Sequence, residues 1–174
     1  FLSFIGRLAP RRHILCLQEV HGLETTVLSD LNRTLPHWGI YHSVCSDPDG
    51  TSNGTKGGVT ICLCPSLHQR AVITTQVLYP GRCIAAKCSV GDKVLTIVNL
   101  HNFGFRAEDA CAIKTFVRSL RAEDQLDPFK RFSFLTGDVN FAGEGEKRFK
   151  VGTPVAAACS PAYVSSGTFK NIFV

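Results

Sequence analysis

Three short stretches of the 174-residue sequence place oxygen- and nitrogen-bearing side chains directly after apolar runs. They are Gln18-Glu19, Asn99-Leu100-His101-Asn102 and Gly137-Asp138-Val139-Asn140. A carboxylate such as Glu19 at a strand end suits a hard divalent cation; Mg²⁺ takes one or two carboxylates and completes its shell with water and phosphate oxygens. The imidazole of His101 can donate to a phosphoryl oxygen or to a leaving group. Asp138 and Asn140 stand at i and i+2, which share one side of an extended segment. Asp138 can therefore act as a base or hold a water while Asn140 bonds a phosphate or the carboxylate, and Gly137 permits a sharp turn and a close backbone approach. A cation, an oriented water and donors toward a pentacovalent phosphorus are the equipment for hydrolysing a phosphate ester. Singly, each residue has a plainer role: Glu19 as a solvated strand end, His101 as a packed histidine, Gly-Asp-x-Asn as a turn whose side chains bond their own backbone. Their succession along one chain is what points to chemistry.

The elements that must position these groups follow from periodicity. The unbroken run His13-Ile14-Leu15-Cys16-Leu17 predicts a buried strand that delivers Gln18-Glu19 to a sheet edge. Leu23, Val27, Leu31 and Leu35 recur every four residues and predict a helix over 22–35, ended by Pro36. A strand is expected over 38–44, then a surface loop over 46–57, rich in Asp, Pro, Gly, Ser and Asn. Strand signals over 58–64, 71–78, 83–90 and 93–100, joined by short turns, predict four consecutive antiparallel strands. Ala110, Ile113, Val117 and Leu120 predict a covering helix over 106–124, and 132–135 one more strand. Residues 142–174 show little periodicity. With no repeat or linker, the expectation is one domain over 1–174, a mixed α/β protein with helices shielding sheets.

Composition narrows the setting. No run approaches the roughly 20 apolar residues of a membrane-spanning helix, and no export signal is visible, so a soluble chain inside the cell, in cytoplasm or nucleus, is expected with no membrane partner. Cys16, Cys62, Cys64, Cys83, Cys88 and Cys111 fall in apolar segments and are expected to be small buried hydrophobes in a reducing compartment. The 19 Lys and Arg against 14 Asp and Glu give a net charge of +5, which suits a phosphate-rich partner; the stretch Lys147-Arg148-Phe149-Lys150 adds to that. There is no methionine and the chain begins at Phe1. Either a processed chain or a piece cut from a longer one, such as a polyprotein, is therefore expected.

Leu15-Cys16-Leu17-Gln18-Glu19-Val20, Gly57-Gly58-Val59-Thr60-Ile61, Gly81-Arg82, Val98-Asn99-Leu100-His101 and Leu135-Thr136-Gly137-Asp138-Val139-Asn140-Phe141 together resemble the successive motifs of the endonuclease/exonuclease/phosphatase, or DNase I-like, superfamily. The match spans residues 14–141. The resemblance implies a four-layer α/β sandwich of two mostly antiparallel sheets flanked by helices, present as a partial copy. It implies that Glu19 binds Mg²⁺ (or Mn²⁺), that Asp138 positions the attacking water, that Asn140 contacts the scissile phosphate, and that His101 acts on phosphate oxygens with Asn99 before it on the substrate side. The implied activity is metal-dependent phosphodiester hydrolysis, with DNA as partner; retrotransposon-type endonucleases are among the kinds it resembles. Two departures stand beside this. The third motif reads Asn99-Leu100-His101-Asn102-Phe103-Gly104, where abasic-site and many retrotransposon enzymes have Asn-x-Tyr-x-Pro-Asn. The family's upstream asparagine strand and C-terminal Ser-Asp-His-type motif are not identifiable, and His101 is the last histidine in the sequence. A phosphatase or phosphodiesterase of inositol phosphates, lipid headgroups or nucleotides, and a catalytically inactive remnant, remain the alternatives.

Overall fold

The computed structural model describes residues 1–44, 57–101, 107–122, 130–138, 148–149 and 156–157. The expected loop over 46–57 (apart from Gly57) and most of 142–174 lie outside the described residues. In chain order the elements are helix α1 (Leu2–Leu8), a short 3₁₀ turn, strand β1 (Ile14–Gln18), α2 (Glu24–Thr34), β2 (Gly39–Ser43), β3 (Val59–Leu63), α3 (Pro65–Arg70), β4 (Val72–Tyr79), β5 (Cys83–Val90), β6 (Lys93–His101), α4 (Ala107–Ala122), β7 (Arg131–Asp138), and the two-residue strands β8 (Arg148–Phe149) and β9 (Ala156–Ala157).

Strand alternation sorts the side chains into layers. Val59, Ile61 and Leu63 of β3 meet Ile84, Ala86 and Cys88 of β5 and Ile97 of β6, so the two main sheets pack face to face. The opposite face of the first sheet buries Leu15 and Cys62 against Ile5 of α1 and Val27 and Leu31 of α2. The opposite face of the second buries Cys83, Ala85, Val98 and Leu100 under Ile113 and Leu120 of α4. Helices, sheet, sheet and helix make four layers, as expected.

The first sheet has the order β1-β3-β2 and is antiparallel throughout. The second runs β4-β5-β6-β7, antiparallel except for the parallel β6–β7 pair. This corrects the expected four-strand meander, because β3 sits at the centre of the first sheet and only β4, β5 and β6 form a meander. The reason is α3, which the strand signals did not reveal: Pro65 opens it at N1, where a missing N–H costs nothing, and it carries the chain from one sheet to the other. Helix α1 was likewise unforeseen. Among the expected buried cysteines, Cys62, Cys64, Cys83 and Cys88 are buried, Cys16 is half-buried, and Cys111 is exposed on α4. No described helix is long and apolar enough to cross a membrane.

Candidate functional site

The ends of β1, β3, β5 and β6 converge at one edge of the sandwich through backbone hydrogen bonds. Val20 N–H donates to Gly58 O (3.1 Å), Gly58 N–H to Gly81 O (2.9 Å), and His101 N–H to Arg82 O (2.8 Å). Gly81 N–H donates to the Ser43 hydroxyl at 3.0 Å, adding β2 to the set. Four of the sequence motifs are thereby fastened to one another. Gly58 has φ +107°, and a Cβ there would collide with the Val20 carbonyl; the tight approach of two strand ends is what requires glycine. Gly137 has φ +134°, and its Cβ would strike the backbone of Leu100. The close neighbour of Gly137 in this fold is thus the adjacent strand.

At that edge β1 ends on Glu19, a non-glycine residue in the left-handed region (φ 54°), a conformation uncommon outside turns and functional positions. Its side chain is 64% exposed, while that of His101 is 4% exposed, and His101 Nε2 lies 3.4 Å from Glu19 Oε1. Two residues from different sheets, 82 positions apart, therefore share one spot. On β6, Asn99 is fully buried and spans the gap between the sheets. Its Nδ2 donates to Leu17 O and Thr60 O, both at 2.9 Å, and its Oδ1 accepts from Gln18 Nε2 at 2.5 Å. The amide is spent on protein partners, so it locks β6 to β1 and β3 and holds Gln18 in place beside Glu19. The parallel register of β6 and β7 pairs Asn99 with Thr136 and His101 with Asp138. The backbone thus brings Asp138 to the same end as His101; the Asp138 side chain and all of Asn140 lie outside the described residues.

Sequence reasoning did not foresee His42. Its Nδ1 is 2.8 Å from Thr60 Oγ1, next to the carbonyl that Asn99 uses, and its buried Nε2 has no hydrogen-bond partner among the described residues. Burial lowers its pKa from the ordinary 6.5, with the Glu24 carboxylate opposing in part. No local pattern marks it, since its surroundings come from across the sheet.

Among the described residues no three His, Cys, Asp or Glu side chains gather to enclose a metal ion. The oxygen donor of Glu19, largely open to solvent, fits Mg²⁺ of the kind that keeps most of its waters and binds through one or two carboxylates. It does not fit a closed nitrogen and sulfur cage such as structural zinc uses.

No family model and no curated protein sequence matches the chain. Solved structures do. AP endonuclease LMAP from Leishmania major superposes with a TM-score of 0.63 at 13% identity, covering 86% of this chain and 52% of that one. ANGEL2, a 2′,3′-cyclic phosphatase, superposes with a TM-score of 0.54 at 14% identity, covering 80% of this chain and 42% of that one. An endonuclease/exonuclease/phosphatase family protein from Bacteroides thetaiotaomicron gives 0.54 at 16%, covering 80% and 53%. The chain shares the DNase I-like fold of these structures. It spans about half the length of these structures.

Proposed function

We propose that the protein to which this chain belongs hydrolyses phosphodiesters with the help of a divalent cation, and that its substrate is DNA. The observation that carries the reading is the meeting of Glu19 and His101 at 3.4 Å, at the edge to which β7 brings Asp138 in register with His101. Glu19 would hold Mg²⁺, which when bound neutralises phosphate charge. His101, fixed by its backbone bond to Arg82, offers Nε2–H to a non-bridging phosphate oxygen. Asp138 orients the attacking water and accepts its proton, and Asn140 donates to the phosphate. Asn99 acts by positioning, since it keeps Gln18 and the β1 end in register with His101. DNA is favoured by the net charge of +5 and by the basic stretch at 147–150.

Nicking of supercoiled plasmid tests this. Mg²⁺-dependent nicking by the full-length parent, lost in Glu19→Ala and Asp138→Ala, is the expected result; no metal-dependent nicking by the parent overturns it. The buried His101 in an Asn-x-His sequence favours a second reading, a small phosphoester such as an inositol phosphate, lipid headgroup or nucleotide. Phosphate release from such esters without nicking would establish that one. No turnover of either kind would leave an inactive remnant of the fold.

A further inference from the structure

The opposite end of β1 carries a second cluster with its own chemistry. His13 precedes β1, and Cys64 follows β3, its antiparallel partner. Cys64 N–H donates to His13 O at 2.8 Å, which fixes the two side chains side by side. Cys64 Sγ lies 3.6 Å from His13 Nδ1 and 3.1 Å from Ser66 Oγ. All three residues line a cavity of about 450 Å³, together with Arg12, Pro36 and Trp38, a volume within the usual range of small-molecule sites. From His13 to Glu19 the strand advances about 20 Å, so the cavity is remote from the Glu19 edge.

We infer that this cavity is a thiol-modification site, in which Cys64 exchanges with a small disulfide that carries carboxylate groups. A thiolate is the attacking species in such exchange. His13 can take the Cys64 proton and stand beside the sulfur as a cation, Ser66 can donate to it, and Arg12 can meet a carboxylate of the incoming molecule. The Cys64 sulfur attacks one sulfur of the disulfide, and a new S–S bond forms as the old one breaks. The leaving thiolate collects the proton from His13; Cys64 is oxidised and the departing half reduced. The other buried thiols are set apart from this chemistry. Burial pushes Cys16, Cys62 and Cys83 up to about 12 and Cys88 up to about 11. Burial also acts to raise Cys64, but the hydrogen bonds of Ser66, His13 and the Leu67 backbone, with the charge of His13, outweigh it and bring the thiol below its ordinary value.

Incubation of the chain with oxidised glutathione, followed by peptide mass mapping, tests the site, with Cys111→Ser removing the one thiol exposed among the described residues. Cys64 is expected to be modified ahead of Cys16, Cys62, Cys83 and Cys88. His13→Ala and Ser66→Ala, both at exposed positions, should each slow it by about fivefold or more without shifting the thermal melting point. Oxidised glutathione should outpace cystamine, its amine counterpart, and Arg12→Ala should erase that preference. Cys64 left unmodified, or modified at a rate that neither His13→Ala nor Ser66→Ala changes, overturns the site. Equal rates with the two disulfides overturn the carboxylate assignment.

Discussion

The two ends of β1 are built by different means. At the Glu19 end, groups arrive from both sheets: Glu19 and Gln18 from one, Asn99 and His101 from the other, joined across 81 or 82 residues of sequence. At the His13 end, the thiol and its two hydrogen-bonding partners come from the ends of one sheet and the first turn of α3, and they meet through a single antiparallel pair. The first end therefore exists only when the sheets are stacked, and its integrity depends on the buried Asn99. The second depends on the β1–β3 pairing alone. The cation and phosphate chemistry proposed above would draw on the end where two sheets contribute, while the proposed thiol exchange draws on one sheet alone.

That contrast can be broken experimentally. The largest effect is expected for Glu19→Gln, which should lower Mg²⁺-dependent nicking by the full-length parent by about a hundredfold or more. Its stability should shift by no more than about 0.5 kcal/mol, as for an exposed residue; kinetics and urea unfolding measured together separate the two. Asn99→Ala should cost about 2–3 kcal/mol in urea unfolding, because the carbonyls of Leu17 and Thr60 and the Gln18 amide lose a buried partner. If it costs no more than His13→Ala at the other end, the distinction between a cross-sheet and a single-sheet cluster fails.

A smaller effect is a pH dependence. His42 has a folded pKa below its ordinary 6.5, so between the folded value and 6.5 the unfolded chain binds more protons than the folded one. Stability from this group is full above 6.5, declines as the pH falls below it, and levels off beneath the folded pKa. The urea midpoint should therefore drop between about pH 7.5 and about pH 5.5, and drop less in His42→Gln. The smallest effect is expected for Cys64→Ser, which should leave nicking unchanged; a loss there would mean that the two ends communicate.

Much of this was legible in the sequence, and its limits follow from particular residues. The apolar run before Gln18-Glu19 and the four-residue spacing of Val27, Leu31 and Leu35 located β1 and α2 because strand and helix periods are written in neighbouring residues. Leu23 continues that spacing yet is exposed, since it stands at the helix start, before the stripe meets the sheet. The strand signals over 58–64 and 71–78 were sound as strands, but the expectation that they pair as neighbours in one meander failed, because they join different sheets. That was decided by α3, too short for a periodic signal.

The sequence by itself determined the seven strands of the two main sheets and the two longer helices, the four-layer class, and the polar residues that close the strands. Tertiary structure alone decided that β3 lies between β1 and β2, that Asn99 spends its amide between two sheets, that His42 is half-buried beside Thr60, and that Cys64 faces His13 and Ser66 while Cys111 faces solvent. The physical reason is range. Periodicity records what one segment buries, whereas a hydrogen bond, a raised or lowered pKa and the choice of a strand partner depend on groups that meet only after distant parts of the chain have packed.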